Sequence, residues 1–318
     1  MSVYTTLSRQ ELKAILGQYR IGGLRDFQGI AAGIENSNYF VDTGQGRFVL
    51  TVFERMDADE LPYFMHLMKH LADQGFVSPA VQQQGDASLL FEHSGKLGCI
   101  VSCLPGKTLE RLSGPQLERA GGMLARLHEA GLSFPERHAN PTYLDWMQKT
   151  AGAMAADVAE RYGQDAADLL AAELDWQQEN LPAYLPSGVI HADYFCDNIL
   201  FSGDEVTGVI DFYYACDGPF TYDMAIAANA LAIRLEDGDE IRLERFVSGY
   251  SRVRGLSDAE QAAFPALLRL AALRFWISRM FDELYPREGE MVQTKNPEEY
   301  RQKLLFHRKR SGVPFVSA

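Results

Sequence analysis

Hydrophobic and polar positions along this chain fall into two stretches of different rhythm. Ser8 and Glu11 stand at capping-box spacing, and Leu12, Ile15 and Leu16 then recur at the helical period. This predicts a first helix, ended by Gly22-Gly23. From Ile34 to Asp42 apolar and polar residues alternate, Thr43-Gly44-Gln45-Gly46 supplies a turn, and Arg47 to Glu54 alternates again, which is a β-hairpin pattern. Leu61, Phe64, Met65, Met68 and Leu71 make a helical stripe within Glu60 to Gln74, closed by Gly75. Leu89-Leu90-Phe91 and Leu97 to Leu104, separated by His93-Ser94-Gly95-Lys96, predict a second hairpin.

Beyond Leu104-Pro105-Gly106 the rhythm becomes helical, over roughly 115–130, 141–180, 221–235, 258–284 and 297–309. Residues 188–214 are the exception: Val189-Ile190, Ile199-Leu200-Phe201 and Val206 to Ile210 are short β-type runs around polar residues. No internal repeat or low-complexity tract is present. The predicted class is therefore α+β: a β-rich N-terminal lobe (1–104), a hinge near 102–106, and a mainly helical C-terminal lobe (105–318).

Composition narrows the function without naming it. The 318 residues are 47% apolar and 23% charged, the balance of a globular chain. A net charge of −13 disfavours a nucleic-acid partner, since phosphate backbones are gripped by Lys and Arg. No run approaches the ~18 consecutive apolar residues of a membrane span, and Met1-Ser2-Val3-Tyr4-Thr5-Thr6 lacks the basic and apolar regions of a leader. A cytoplasmic location without a membrane partner is expected. Cys99, Cys103, Cys196 and Cys216 match no zinc spacing and are expected as reduced thiols.

The candidate chemistry lies in His191-Ala192-Asp193-Tyr194-Phe195-Cys196-Asp197-Asn198, a polar loop running into Ile199-Leu200-Phe201. Ser202-Gly203-Asp204-Glu205 should turn the chain back through Val206 to Ile210, ending at Asp211. Such a hairpin brings Asn198 and Asp211 together at its open end. Two protein oxygens completed by phosphate oxygens and water suit magnesium, so this pair is a plausible half-site for a magnesium nucleotide. Asp193, facing the same opening, can accept the proton of an attacking hydroxyl.

His191-x-Asp193-x4-Asn198, then Ile210-Asp211-Phe212 and Gly218-Pro219-x3-Asp223, resembles the catalytic loop and metal-binding segment of protein-kinase-like enzymes, in the variant of the aminoglycoside phosphotransferase and choline kinase superfamily. Within that superfamily, Gly33-Ile34-Glu35-Asn36-Ser37-Asn38-Tyr39-Phe40, Glu60-Leu61-Pro62-Tyr63-Phe64 and Leu273-Arg274-Phe275-Trp276-Ile277-Ser278-Arg279 resemble bacterial homoserine kinases of the kinase-fold type. The resemblance implies a two-lobed protein-kinase-like fold and transfer of phosphate from ATP, with Mg2+, to the side-chain hydroxyl of L-homoserine for threonine synthesis. It gives Asp193 the role of base, and Asn198 and Asp211 those of metal ligands. Gly29 to Asn38 takes the place of the nucleotide-covering loop, with Gly33, Asn36, Ser37 and Asn38 as phosphate contacts, and Ser102 and Leu104 lie at the adenine hinge.

One residue departs from the wider kinase pattern. Thr51 stands where a Lys usually meets the α- and β-phosphates, and a hydroxyl can hydrogen-bond a phosphate but cannot neutralise it. For a zwitterionic acceptor, Arg274 and Arg279 are candidate carboxylate partners, since each interrupts an apolar stripe. His191 reads as a strut for the loop, Asp223 as a brace for it, and His128 as helix packing. Choline and aminoglycoside acceptors are cationic, whereas 286–310 carries seven Lys or Arg against four Glu and favours an anionic group. Two other readings fit the same residues: a kinase for another small alcohol or amine (choline or aminoglycoside type), and a nucleotide-binding pseudokinase acting as a regulatory module, whose support is Thr51.

Overall fold

The computed structural model describes residues 4–30, 36–286 and 295–310. Gly33 and the start of the first predicted hairpin lie outside them. The described chain opens with α1 (Arg9–Leu16), whose Ser8 hydroxyl and Glu11 carboxylate close the predicted capping box. Such a cap is worth about 1 kcal/mol. There follow β1 (Leu24–Gly29), β2 (Ser37–Thr43), β3 (Gly46–Val52), α2 (Leu61–Asp73), β4 (Phe91–His93) and β5 (Lys96–Ser102). The strands form one sheet in the order β1-β2-β3-β5-β4, antiparallel throughout. Leu12, Ile15 and Leu16 of α1 are buried with Tyr39, Val41, Leu50 and Ile100 of the sheet. Alternation in β2 follows from this, because period-2 side chains reach the core only from one face.

The remaining elements are α3 (Gly114–Gly131), α4 (Leu144–Tyr162), α5 (Gln164–Asn180), β6 (Ser187–Ile190), β7 (Ile199–Ser202), β8 (Glu205–Val209), β9 (Cys216–Pro219), α6 (Phe220–Leu231), α7 (Asp239–Ser251), α8 (Asp258–Leu284) and α9 (Pro297–Arg308). β7 pairs with β8 and β6 with β9. The helical stretch predicted over 141–180 is two helices, broken at Gly163, whose φ of 90° no α-helix accepts. α8 packs on α6 and α9 and buries Leu267, Leu270, Ala271, Leu273, Trp276 and Ile277.

α3 and α7 approach backbone to backbone. A Cβ on Gly121 would lie 2.1 Å from the Phe246 carbonyl oxygen, and one on Gly249 would lie 2.0 Å from that of Glu118. Only glycine permits this spacing.

The chain divides into two compact units. One comprises Met1–Lys107 with Leu200–Ser202 and Thr207–Tyr213; the other comprises Thr108–Ile199, Gly203–Val206 and Tyr214–Ala318. In the first, Phe201 bridges Lys107 and the Val209 amide donates to the Val77 carbonyl. Among the described residues no helix is long and apolar enough to cross a membrane.

Candidate active site

The loop from β6 to β7 is held by buried polar contacts within the second unit. Asp223, at the start of α6 and fully buried, accepts from the amides of His191 (2.8 Å, Oδ2) and Ala192 (2.8 Å, Oδ1). It also accepts from His128 Nε2 at 3.0 Å, while His128 Nδ1 meets the Tyr250 hydroxyl at 2.7 Å. Burial pushes the Asp223 carboxyl up, but His128 and the loop amides outweigh it and hold it below the usual range. Burial pulls the His128 pKa down, against the pull of Asp223, so the ring is neutral with its proton on Nε2. His128 is therefore more than helix packing: it completes the brace that Asp223 begins.

These contacts hold a strained backbone. Ala192 has φ 60°, a left-handed conformation that costs a β-carbon residue about 1–3 kcal/mol. Its amide is fixed by Asp223 and its carbonyl accepts from Arg274 at 3.3 Å. Arg274, 4% exposed on α8, also donates to Thr142 Oγ1 at 2.8 Å and lies over the Phe275 ring. The sequence offers Arg274 as a substrate ligand; the structure shows it gripping the loop.

Asp193 follows immediately. Its amide donates to His191 Nδ1 at 3.3 Å, the strut expected of that histidine. Asn198 Nδ2 donates to the Asp193 carbonyl at 2.9 Å and to its Oδ2 at 3.0 Å. Two of the three predicted chemical residues are thus joined directly. Burial raises the Asp193 pKa, with Arg274, His191 and Lys295 pulling against it. With its nitrogen committed to Asp193, Asn198 keeps carbonyl Oδ1 as its donor for a cation. Asn198 immediately precedes β7, and Asp211 stands two residues past β8 at φ 66°, exposed.

In the first unit, Thr51 is 3% exposed and donates its hydroxyl to Asn38 Oδ1 at 2.7 Å across the β2–β3 pair. Ser37 Oγ accepts from the Tyr4 and Thr5 amides, both at 2.8 Å, and donates to Glu54 at 2.5 Å. Asn36 Oδ1 accepts from the Glu54 amide at 3.4 Å. Glu54 pairs with Lys96 on β5, an ion pair that no motif in the sequence announces. Burial raises the Glu54 carboxyl, and Lys96, Ser37 and Thr5 more than reverse this. At the hinge, Ser102 Oγ accepts from the Ala80 amide, and the Leu104 side chain covers Gly208.

A cavity of about 640 Å³ in the second unit adjoins the loop. Phe195, Cys196 and Asp197 line it together with Arg279, Glu299 and Tyr300. Arg279 donates to Glu299 at 2.7 Å and to the Asn296 carbonyl at 2.9 Å. The cavity was not legible in sequence, because its lining comes from separate segments and two of its residues, Glu299 and Tyr300, stand on α9, which reads as a solvated charged surface. Among the described residues no group of three or more His, Cys, Asp or Glu side chains is assembled to hold a metal.

Residues 26–263 match the phosphotransferase enzyme family, APH. A homoserine kinase of Neisseria meningitidis serogroup B is 42% identical, covering 96% of this chain and 99% of that protein. One from Methylobacillus flagellatus is also 42% identical, covering 96% and 95%. Among solved structures, an amicoumacin kinase in complex with AMP-PNP and Ca2+ matches with a TM-score of 0.69 at 15% identity, over 98% of this chain and 96% of that one. A spectinomycin phosphotransferase in complex with ADP matches with a TM-score of 0.67 at 15% identity, over 97% of each. The expected α+β kinase-like fold is the fold of this chain. Since the family match takes in the braced loop and both hairpins, and the relatives run almost end to end with it, the chain belongs to the phosphotransferase enzyme family, alongside the homoserine kinases it resembles.

Proposed function

We propose that this phosphotransferase moves the terminal phosphoryl group of ATP to the side-chain hydroxyl of L-homoserine, giving O-phospho-L-homoserine for threonine synthesis in the cytoplasm. The observation that carries the reading is the 42% identity to a homoserine kinase along 96% of the chain, with the paired Asp193 and Asn198 in its braced loop. That amicoumacin kinase and spectinomycin phosphotransferase bind AMP-PNP and ADP supports nucleotide use on this fold.

In this reading residues 1–104 are the nucleotide-binding lobe, with contacts from Gly33, Asn36, Ser37, Asn38, Thr51, Ser102 and Leu104. Residues 105–318 are the catalytic and substrate-binding lobe. Asp193 accepts the acceptor hydroxyl's proton as its oxygen attacks phosphorus in line. A raised pKa suits it, since a base must hold the proton that it takes. Asn198, through Oδ1, and Asp211, through its carboxylate, are the protein ligands of magnesium, an ion that needs only one or two carboxylate or carbonyl oxygens when phosphates supply the rest. Magnesium, when bound, neutralises charge on the phosphates. Thr51 carries no charge and its hydroxyl donates to Asn38, so charge neutralisation rests on magnesium and on backbone donors. Arg274 orients the loop, and Arg279 faces the acceptor cavity.

Coupled detection of ADP release tests the assignment. L-homoserine should support turnover, and choline, sugars and aminoglycosides should not. Turnover with none of them would overturn the kinase reading, and a preference for another acceptor would overturn the substrate.

A further inference from the structure

The cavity beside the catalytic loop carries both signs of charge over aromatic walls, all within the second unit. Arg279 and Lys295 are its cations, Glu110, Asp197 and Glu299 its anions, and Phe195 and Tyr300 its rings. Glu299 is fixed by two buried cations: Arg279 Nη1 at 2.7 Å and Lys303 Nζ at 2.7 Å, whose side chains are 9% and 4% exposed. Burial raises the Glu299 carboxyl, but Lys303 and Arg279 outweigh it, so it stays ionised while its side chain, 47% exposed, lines the cavity. Lys303 is anchored in turn on the Asn229 carbonyl at 2.8 Å. This is an anion held by two cations, one of which, Arg279, lines the cavity with it.

Lys295 is the opposite case. It stands 3.8 Å from Asp197 Oδ2 and 5.3 Å from the Phe195 ring centre, in a pair exposed on both sides. Exposed pairs of this length contribute little, so the ammonium is available to a better partner. Phe195 and Asp197, its two neighbours, belong to the loop that carries Asp193 and line the cavity with it. An acceptor with one anionic and one cationic group, and a hydroxyl a few bonds away, complements this arrangement.

We infer that the cavity is a cradle for a zwitterionic α-amino acid, in which Lys295 binds the carboxylate and Glu299 the ammonium, directing the side-chain hydroxyl toward Asp193. The inference rests on the proposed homoserine phosphorylation and adds how the acceptor is recognised. Two analogues separate the contacts: 3-amino-1-propanol lacks the carboxylate, and 4-hydroxybutanoate lacks the amine.

The experiment measures KM for L-homoserine and for ATP, and the inhibition constants of both analogues, in the unaltered chain, Lys295→Ala and Glu299→Gln. Lys295→Ala should raise KM for L-homoserine about tenfold or more, the weight of one charge-assisted contact. It should weaken 4-hydroxybutanoate similarly, and leave 3-amino-1-propanol and the KM for ATP unchanged. Glu299→Gln should show the reverse pattern for the analogues. Because Glu299 also holds Arg279 and Lys303, Lys295→Ala, at an exposed position, carries the test alone if Glu299→Gln fails to fold. A Lys295→Ala variant with KM for L-homoserine within twofold of the unaltered chain, or with both analogues weakened equally, would overturn the cradle. No turnover of L-homoserine by the unaltered chain would overturn the reading beneath it.

Discussion

Asp223 holds two amides of a left-handed turn and a neutral histidine at once, so its loss strips partners from several buried groups together. Asp223→Ala should cost about 3–5 kcal/mol in urea unfolding, and a loss under 1 kcal/mol would contradict the brace. The folded pKa of Asp223 is depressed, so its stabilisation is full above about 3.9 and is lost as pH falls through the lower folded value. The buried histidines act earlier. His128 is depressed, and His307, pulled down first by burial and further by the nearby cations Arg310, Lys303 and Arg269, sits at about 3. The unfolded chain therefore takes up protons below about pH 6.5 that these folded rings refuse. Stability should fall between pH 7 and 5, and His128→Gln should fall less steeply. Asp193 behaves oppositely, because burial raises it: the acid limb of kcat/KM should lie above the ordinary aspartate value. Arg274→Met, which removes a charge that lowers Asp193, should move that limb to higher pH; a shift to lower pH would contradict the assignment.

Elements with a strong period were legible in the sequence, and elements that depend on distant partners were not. α1, α2 and α8 follow their apolar stripes, and the β2–β3 hairpin follows its alternation and its glycine turn. β1 escaped because Leu24 and Phe27 are its only half-buried apolar positions and Arg25, Asp26 and Gln28 offer no period of two. α7 escaped because Asp239-Glu240-Ile241-Arg242-Leu243-Glu244 reads as solvated charge until the chain contacts of α3 define its inner face. That inner face depends on glycine. Alanine at Gly249 would gain about 1 kcal/mol of helix propensity but would place a Cβ 2.0 Å from the Glu118 carbonyl oxygen. The clash wins, so Gly249→Ala should lower stability by about 1–3 kcal/mol in thermal or urea unfolding. A stabilised variant would mean that the two helices are less closely packed than described.

For the whole molecule, the polar loop was more legible in the sequence than the cavity beside it. Asp193 and Asn198 lie five residues apart in one loop, so a local pattern sufficed to pair them. The cavity beside that loop draws Phe195, Arg279 and Glu299 from segments far apart in the chain, and chain folding alone brings them together. His128 shows the same limit, since its partner Asp223 lies 95 residues away. The deciding comparison is ADP release with L-homoserine under saturating magnesium and ATP, for the unaltered chain and for Asp193→Asn, with nucleotide binding measured on both. The unaltered chain should turn over and the variant should lose about 10²–10⁴-fold, with nucleotide binding kept, if Asp193 is the base. Turnover of Asp193→Asn within a few fold of the unaltered chain would contradict it.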